Sequence, residues 1–372
     1  TPIETDLSLF LKICPSNNFI AVAGTKGKST VTNFIFHLFS YANKDIVHGG
    51  NIGISVFDVL PEIKEKTFVL LEISSWQLEG MKKTIFNPKI AVLTNIIPDH
   101  LDRYKDFEEY ANSEKLICQY LNTTNFLITS FDNPITKKIE QEKATNIFWF
   151  STKNNVPQGC YLEDGSIIFC FNNQKTVICN IDQIPIPGEH NIGNTMAAIN
   201  AAFLMNLPIN KIREGIKTFK GVPNRLERIA NFNDIYFYND TCATTPEATI
   251  AAIKSFPKKP ITLILGGRNK KLKYDTLCQA IRNSNNILSI VILKHPEYDA
   301  SEIILKELNE LGLKPIIKIT ESMQAATKTA YEESIPGTII LLSPGATSFG
   351  MFQNEFDRGN SFRQSVSSLI KL

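Results

Sequence analysis

Along the first half of the chain, short apolar runs alternate with stretches whose apolar residues return every three or four positions. "NFIAVAG" precedes helical spacing from Lys28 to Asn43, "TFVLLEISS" precedes a short helix, "KIAVLTNI" precedes a helix from about Asp106 to Tyr120, and "NFLITSF" closes the series. Strands that are apolar throughout and separated by helices belong in a parallel sheet covered on both faces. From Ile147 to Asn180 the texture changes to short alternating pieces, "NIFWFST", "GCYLEDGSIIFCF" and "KTVICNI", with "EDG" and "NNQK" as turn signals. Helical spacing resumes in "EHNIGNTMAAINAAFLMN" and "INKIREGIKTF", and "GVPNR" (Gly221 to Arg225) reads as a linker. A second strand–helix series follows in "DIYFYND", "ITLILGG", "ILSIVIL", "KPIIKIT" and "TIILLSP". The predicted fold class is α/β: a mostly parallel sheet domain over 1–222 with a small antiparallel flap at about 147–180, then a Rossmann-like doubly wound domain over 223–372.

Composition narrows the function without choosing it. Lys and Arg (39) nearly balance Asp and Glu (37), so the net charge of +2 gives no broad field for nucleic acid or an acidic membrane, and any anion must be bound locally. The seven cysteines include no C-x-x-C pair, which fits reduced cytoplasmic thiols better than a disulfide framework or a zinc ribbon. No apolar run reaches the roughly 18 residues of a membrane span, and no leader pattern opens the chain.

The residues with chemistry cluster where strands end. Gly24-Thr25-Lys26-Gly27-Lys28-Ser29-Thr30 lies where a strand meets a helix, so free N–H groups and the helix dipole aim at one place. This makes the first domain P-loop-type, an ATPase domain in which Lys28 would reach phosphates and Ser29 or Thr30 would ligate Mg²⁺. The usual longer loop has glycine where this chain has Val22. Glu72 at the end of "FVLLE" is a candidate carboxylate for Mg²⁺, either ligating it directly or supporting its ligands, and "TNIIPDHLDRY" puts Asp99, His100 and Asp102 after the next strand. By itself Lys115 reads as a surface lysine, and the Lys270/Lys271/Lys273 cluster as a solvated charge run. Arg225, Glu227, Asp240, Lys270 and Ser348 all fall in loops beside predicted strands, whereas Arg363 and Lys371 read as surface charges of the last helix.

Taken in order, "GTKGKST", "GGNIG", "LEISSWQLE", "TNIIPDHLDRY", "GEHNIGNTMAA", "NRLE", "YNDTCATTPEAT", "LGGRNK" and "LLSPGATSFGMFQNEFDRGNSF" give the chain a resemblance to the Mur ligase family, and within it to the type that adds D-glutamate. The resemblance covers the chain from near residue 18 to its end, and accounts for Val22, because these ligases use the short G-T-x-G-K-[ST] loop. It implies that ATP and two Mg²⁺ ions are the cofactors. Gly24, Thr25, Lys26, Gly27, Lys28, Ser29 and Thr30 would hold the ATP phosphates, with Asn51 on phosphate, Asn194 on adenine, and Arg225 and Asp240 completing the nucleotide site. Ser29 and Glu72 would hold one metal ion; His100 and Lys115, the latter carbamylated, would hold the other. Thr244, Lys270 and Ser348 would grip the incoming amino acid.

The implied reaction is attack of a carboxylate on the γ-phosphate, then of an amine on the acyl phosphate, with closure about "GVPNR" excluding water. UDP-N-acetylmuramoyl-L-alanine (UDP-MurNAc-L-Ala) and D-Glu are the implied substrates, for a cytoplasmic monomer with no nucleic-acid partner and no membrane insertion. The family also implies an N-terminal domain that docks the UDP group, and this chain begins about where that domain would end. The family's usual "NDSKATN" is here "NDTCATT", so Cys242 stands for a lysine, and Glu355 stands where an aromatic is frequent. Two other readings remain: a Mur-like ligase for another amino acid, and an ATP-binding module inactive without a sugar-docking domain.

Overall fold

The computed structural model describes residues 4–51, 53–100, 103–142, 145–312 and 315–371. Two units separate along the chain: one runs to Pro185 and takes in Glu189–Phe219, and the other comprises Ile186–Gly188 and everything from Lys220 onward.

The first unit is built on a nine-stranded sheet of β1 (Phe19–Ala23), β2 (Ile46–Gly50), β3 (Phe68–Glu72), β4 (Ile90–Leu93), β5 (Phe126–Ser130), β6 (Asn146–Ser151), β7 (Gly159–Glu163), β8 (Ser166–Phe171) and β9 (Gln174–Asn180), in the order β2-β3-β1-β4-β5-β6-β7-β8-β9. All five residues of β1 and all four of β4 are buried, which explains their unbroken apolar runs: helices cover both faces. Because β3 and β4 flank β1 in parallel, the ends of all three strands open to the same edge. The stretch expected to be a flap is continuous with this sheet. Its first strand, β6, pairs in parallel with β5, and β7 pairs in parallel with β6, so only β7, β8 and β9 form the antiparallel part. Alternation reports that one face is wet, not which way a strand runs, and so it could not separate β6 from its neighbours.

The second unit carries a six-stranded sheet of β10 (Glu227–Phe232), β11 (Ile235–Asn239), β12 (Ile261–Leu265), β13 (Ile287–Leu293), β14 (Ile316–Thr320) and β15 (Ile339–Leu342), ordered β10-β11-β15-β12-β13-β14. Every pair is parallel except β10 with β11. Strand β10 was not foreseen: "ERIANF" is an edge strand with no fully buried position, so it shows no clean apolar pattern. Helices pack on both faces, with one apolar cluster around Leu263, Leu277 and Ile304 and another around Phe237, Ile264 and Phe362. Among the described residues, no helix is long and apolar enough to cross a membrane.

Candidate functional site

In the first unit the chemistry begins where β1 ends. Gly24 and Gly27 adopt φ of +116° and +91°, which a side chain resists, and neither has room for one. A Cβ at Gly24 would stand 2.3 Å from Thr94 Oγ1, and one at Gly27 would stand 2.5 Å from Asn194 Oδ1. The loop is clamped from β4's side: Thr25 N donates to Asn95 O at 2.8 Å, Lys26 N to Asn95 Oδ1 at 3.1 Å, and Thr94 Oγ1 to Lys26 O at 2.7 Å. Lys26 Nζ reaches Asp99 at 2.8 Å.

The helix Lys28–Tyr41 then starts with Gly27 as its cap and no side-chain hydrogen bond over its first turn, leaving its N–H groups and positive dipole end open. Ser29 and Thr30 lie in that turn. Lys28 Nζ rests on the loop's own carbonyls, 2.7 Å from Gly24 O and 3.1 Å from Thr25 O. Burial pulls the Lys28 pKa below the usual lysine range, while Glu114 and then Glu72 pull it back up.

Glu72, at the end of β3, is buried with 1% exposure; its Oε1 accepts from Asn51 Nδ2 at 3.1 Å and its Oε2 has no hydrogen-bond partner. A buried carboxylate oxygen without a donor costs more than a hydrogen bond returns, which makes Glu72 a candidate carboxylate for a cation. Asn51 is exposed beside it, its own N–H on Glu72 O at 2.8 Å. After β4, His100 is exposed at φ +53°, a left-handed conformation uncommon for histidine, with its ring 5.6 Å from that of Trp76 and 5.9 Å from that of Tyr110. Asp102 lies outside the described residues. Asn194 is buried against Gly27, with Nδ2 on Asn191 Oδ1 at 3.0 Å. Lys115 is half-buried at the end of the helix Phe107–Lys115.

That helix also brings in residues the sequence did not flag. The Tyr110 hydroxyl lies 2.9 Å from Thr25 Oγ1 and 3.0 Å from Glu114 Oε1, and Glu114 Oε2 accepts from Gly24 N at 2.9 Å. Their spacing of four along a helix was the available signal.

The donor set suits magnesium. Among the described residues, no three His, Cys, Asp or Glu side chains gather closely enough to hold a metal alone. A hard ion that keeps waters and phosphate oxygens needs only one or two carboxylates and a hydroxyl, which Glu72 and Ser29 offer.

In the second unit, the ends of β11, β15 and β12 lie side by side. Asp240 follows β11, buried, with Oδ1 accepting from Leu226 N at 3.1 Å and Oδ2 from Ser343 Oγ at 2.8 Å. Burial pushes its carboxyl up to about 7 despite those bonds and nearby Arg225, which is itself exposed. Thr244 is half-buried in the same loop, Lys270 is exposed after β12, and Ser348 is 1% exposed after β15 with an unpartnered Oγ.

These loops share one fastening. Arg358, with no exposure, donates from Nε to Thr241 Oγ1 at 3.0 Å, from Nη2 to Thr241 O at 2.9 Å, and from Nη1 to Ala346 O at 3.1 Å and Gly266 O at 3.5 Å. Burial lowers its pKa to about 10, so it stays charged at neutral pH. Arg363 is also no free surface charge: it pairs with Glu227 and donates to Asn224 Oδ1 at 3.1 Å.

Family models match the chain twice, as "Mur ligase middle domain" over residues 22–202 and "Mur ligase, glutamate ligase domain" over 224–345. The UDP-N-acetylmuramoylalanine--D-glutamate ligase of Acetivibrio thermocellus is 36% identical over 99% of this chain and 78% of its own length. That of Clostridioides difficile is 34% identical over 98% and 78%. Among solved structures, UDP-N-acetylmuramate-alanine ligase MurC from Thermotoga maritima superposes with a TM-score of 0.70 at 18% identity, covering 98% of this chain and 78% of its own. MurF ligase from the same organism, in complex with ADP, gives 0.68 at 16% identity, covering 99% and 86%.

Proposed function

The chain belongs to the Mur ligase family, and from that premise we propose that it joins D-glutamate to UDP-N-acetylmuramoyl-L-alanine, as a MurD-type ligase driven by ATP in peptidoglycan synthesis. The reading is supported most directly by the phosphate loop, whose lysine sits on its own carbonyls beneath an uncapped helix. A nucleotide supplies there the anion that both features lack.

On this reading the loop N–H groups of Gly24 to Thr30 seat the phosphates, and Lys28 swings from Gly24 O and Thr25 O onto them. Asn51 orients phosphate through its amide, Asn194, which stands against Gly27, would meet the adenine, and Arg225 and Asp240 are further nucleotide-binding residues. Magnesium, held by Ser29 and Glu72 with a second ion at His100, would draw charge off the phosphate oxygens when bound. The substrate carboxylate attacks the γ-phosphorus as the bond to ADP breaks, and the amine of the amino acid then attacks the acyl phosphate. Loss of a proton from nitrogen and of phosphate from carbon leaves the amide. Thr244, Lys270 and the unpartnered Ser348 hydroxyl bind the amino-acid carboxylates. With Cys242 in the same loop as Thr244, recognition falls to fewer cations than a lysine there would give.

The test is phosphate release from ATP by the 372-residue chain with UDP-MurNAc-L-Ala and a panel of amino acids. Release that requires D-glutamate supports the proposal. Release with another amino acid would redirect it within the family, and nucleotide binding without turnover would replace it with a binding module.

A further inference from the structure

The sheet of the first unit has a second edge, away from Gly24, where the chain enters its strands. Residues 15–18, 43–45, 62–67 and 82–89 lead there into β1, β2, β3 and β4. Hydrogen bonds tie these segments into one surface. Ser16 Oγ donates to Thr67 O at 2.6 Å, Thr67 Oγ1 to Asp45 Oδ2 at 2.5 Å, and Lys89 Nζ to Asn18 Oδ1. Asn125 Nδ2, at the start of β5, donates to Pro88 O at 3.0 Å.

This surface is basic. Lys44, Lys64, Lys66, Lys82, Lys83 and Lys89 all stand on it exposed, and among the described residues none of the six forms an ion pair. Against them are only Asp45, Glu62 and Glu65, so one edge holds an excess of positive charge larger than the +2 of the whole chain. The segment 82–89 adds an apolar tip. Ile85 is 79% exposed, while its neighbour Phe86 is buried with its ring 5.7 Å from that of Phe19, and Thr84 N donates to Met81 O at 2.7 Å. A lone exposed isoleucine is ordinary. One held out from a pinned loop, with Lys82 and Lys83 just before it and Lys89 just after, has the composition of a segment that meets the boundary between headgroups and acyl chains.

We propose that this edge of the first unit docks on an anionic lipid surface, its lysines over acidic headgroups and Ile85 among them, without spanning the bilayer. Charge alone would serve a polynucleotide as well, but a polynucleotide leaves Ile85 without a role. Strand β1 runs five residues from this edge to the phosphate loop, roughly 17 Å at 3.3 Å per residue, so the docked chain keeps its loop turned away from the lipid. The inference goes beyond the ligase reading and does not depend on it.

The experiment sediments the 372-residue chain with vesicles of phosphatidylcholine alone and of phosphatidylcholine mixed equally with phosphatidylglycerol. The wild type binds the mixed vesicles, not the neutral ones, and high salt releases it. Replacing Lys82 and Lys83 together by Ser weakens binding about 25-fold, at roughly fivefold per lysine. Ile85→Ser weakens it about fivefold. Melting temperatures hold in both variants because the exchanged side chains are exposed, and phosphate release without vesicles stays at the wild-type level. Equal binding to neutral vesicles, binding to neither, or undiminished binding by the lysine variant overturns the inference. So does an Ile85→Ser variant that binds lipid like the wild type while the wild type also binds a DNA duplex, which would reassign the edge to polyanions. Each of these failures leaves phosphate release intact and the ligase reading untouched.

Discussion

Replacing Asp240 by Asn should stabilise the second unit at pH 8 while weakening its function. The Asp240 carboxyl is pushed up to about 7 by burial, from an ordinary value of 3.8. A shift of about three units corresponds to about 4 kcal/mol between the protonated and ionised forms, at roughly 1.4 kcal/mol per unit. The sign follows from where protons are held. Between about pH 4 and 7 the folded chain keeps this proton while the unfolded chain has lost it, so stability falls as pH rises through that window and stays low above it. Asn removes the charge yet offers an oxygen to Leu226 N and an amide to the Ser343 hydroxyl, the two groups that hold the carboxylate now. Urea unfolding of both proteins should therefore show Asp240→Asn ahead by about 2 to 4 kcal/mol at pH 8, with the gap closing toward pH 4. Its KM for ATP should rise, because a charge tolerated at such a cost is one that function uses. A variant no more stable than the wild type at pH 8, or one whose advantage is the same at pH 4 and pH 8, would refute the reasoning.

Other outcomes follow from the same geometry. Gly27→Ala forces a Cβ to within 2.5 Å of Asn194 Oδ1 at positive φ; calorimetry should show a loss of about 1–3 kcal/mol, and ADP affinity should fall with it. Lys28→Met should cut turnover by about 10²-fold or more and also lower the melting temperature, because it leaves Gly24 O and Thr25 O without their donor and the buried Glu72 and Glu114 without their neighbouring cation. Arg358→Met strands the carbonyls of Thr241 and Ala346, at about 1–3 kcal/mol each, so thermal unfolding of the second unit should begin several degrees lower.

What the sequence disclosed and what it withheld divide along a physical line. Buried strands announce themselves through unbroken apolar runs, as β1, β4 and β12 did, and the phosphate loop through glycines at positions where no Cβ fits. Edge strand β10 stayed hidden because half-exposed positions carry mixed polarity. The parallel direction of β6 stayed hidden because pairing is a property of two strands and not of one. Glu114 and Arg358 were not singled out, since nothing in "NSEK" or "FDRG" tells which face a helix turns inward. Burial alone distinguishes them, and burial is decided by the partners.

The Arg358 anchor has a consequence for how specificity can change. Three loops hung from a single buried guanidinium keep their backbone course whatever side chains stand at their tips. Substitutions at positions such as 242 or 270 can then alter which molecule is accepted without remaking the scaffold that presents them. In evolutionary terms the frame and the lock are separate parts, so a lineage could drift from one amino acid to another by exchanging a few exposed residues, and the chemistry upstream would be left untouched.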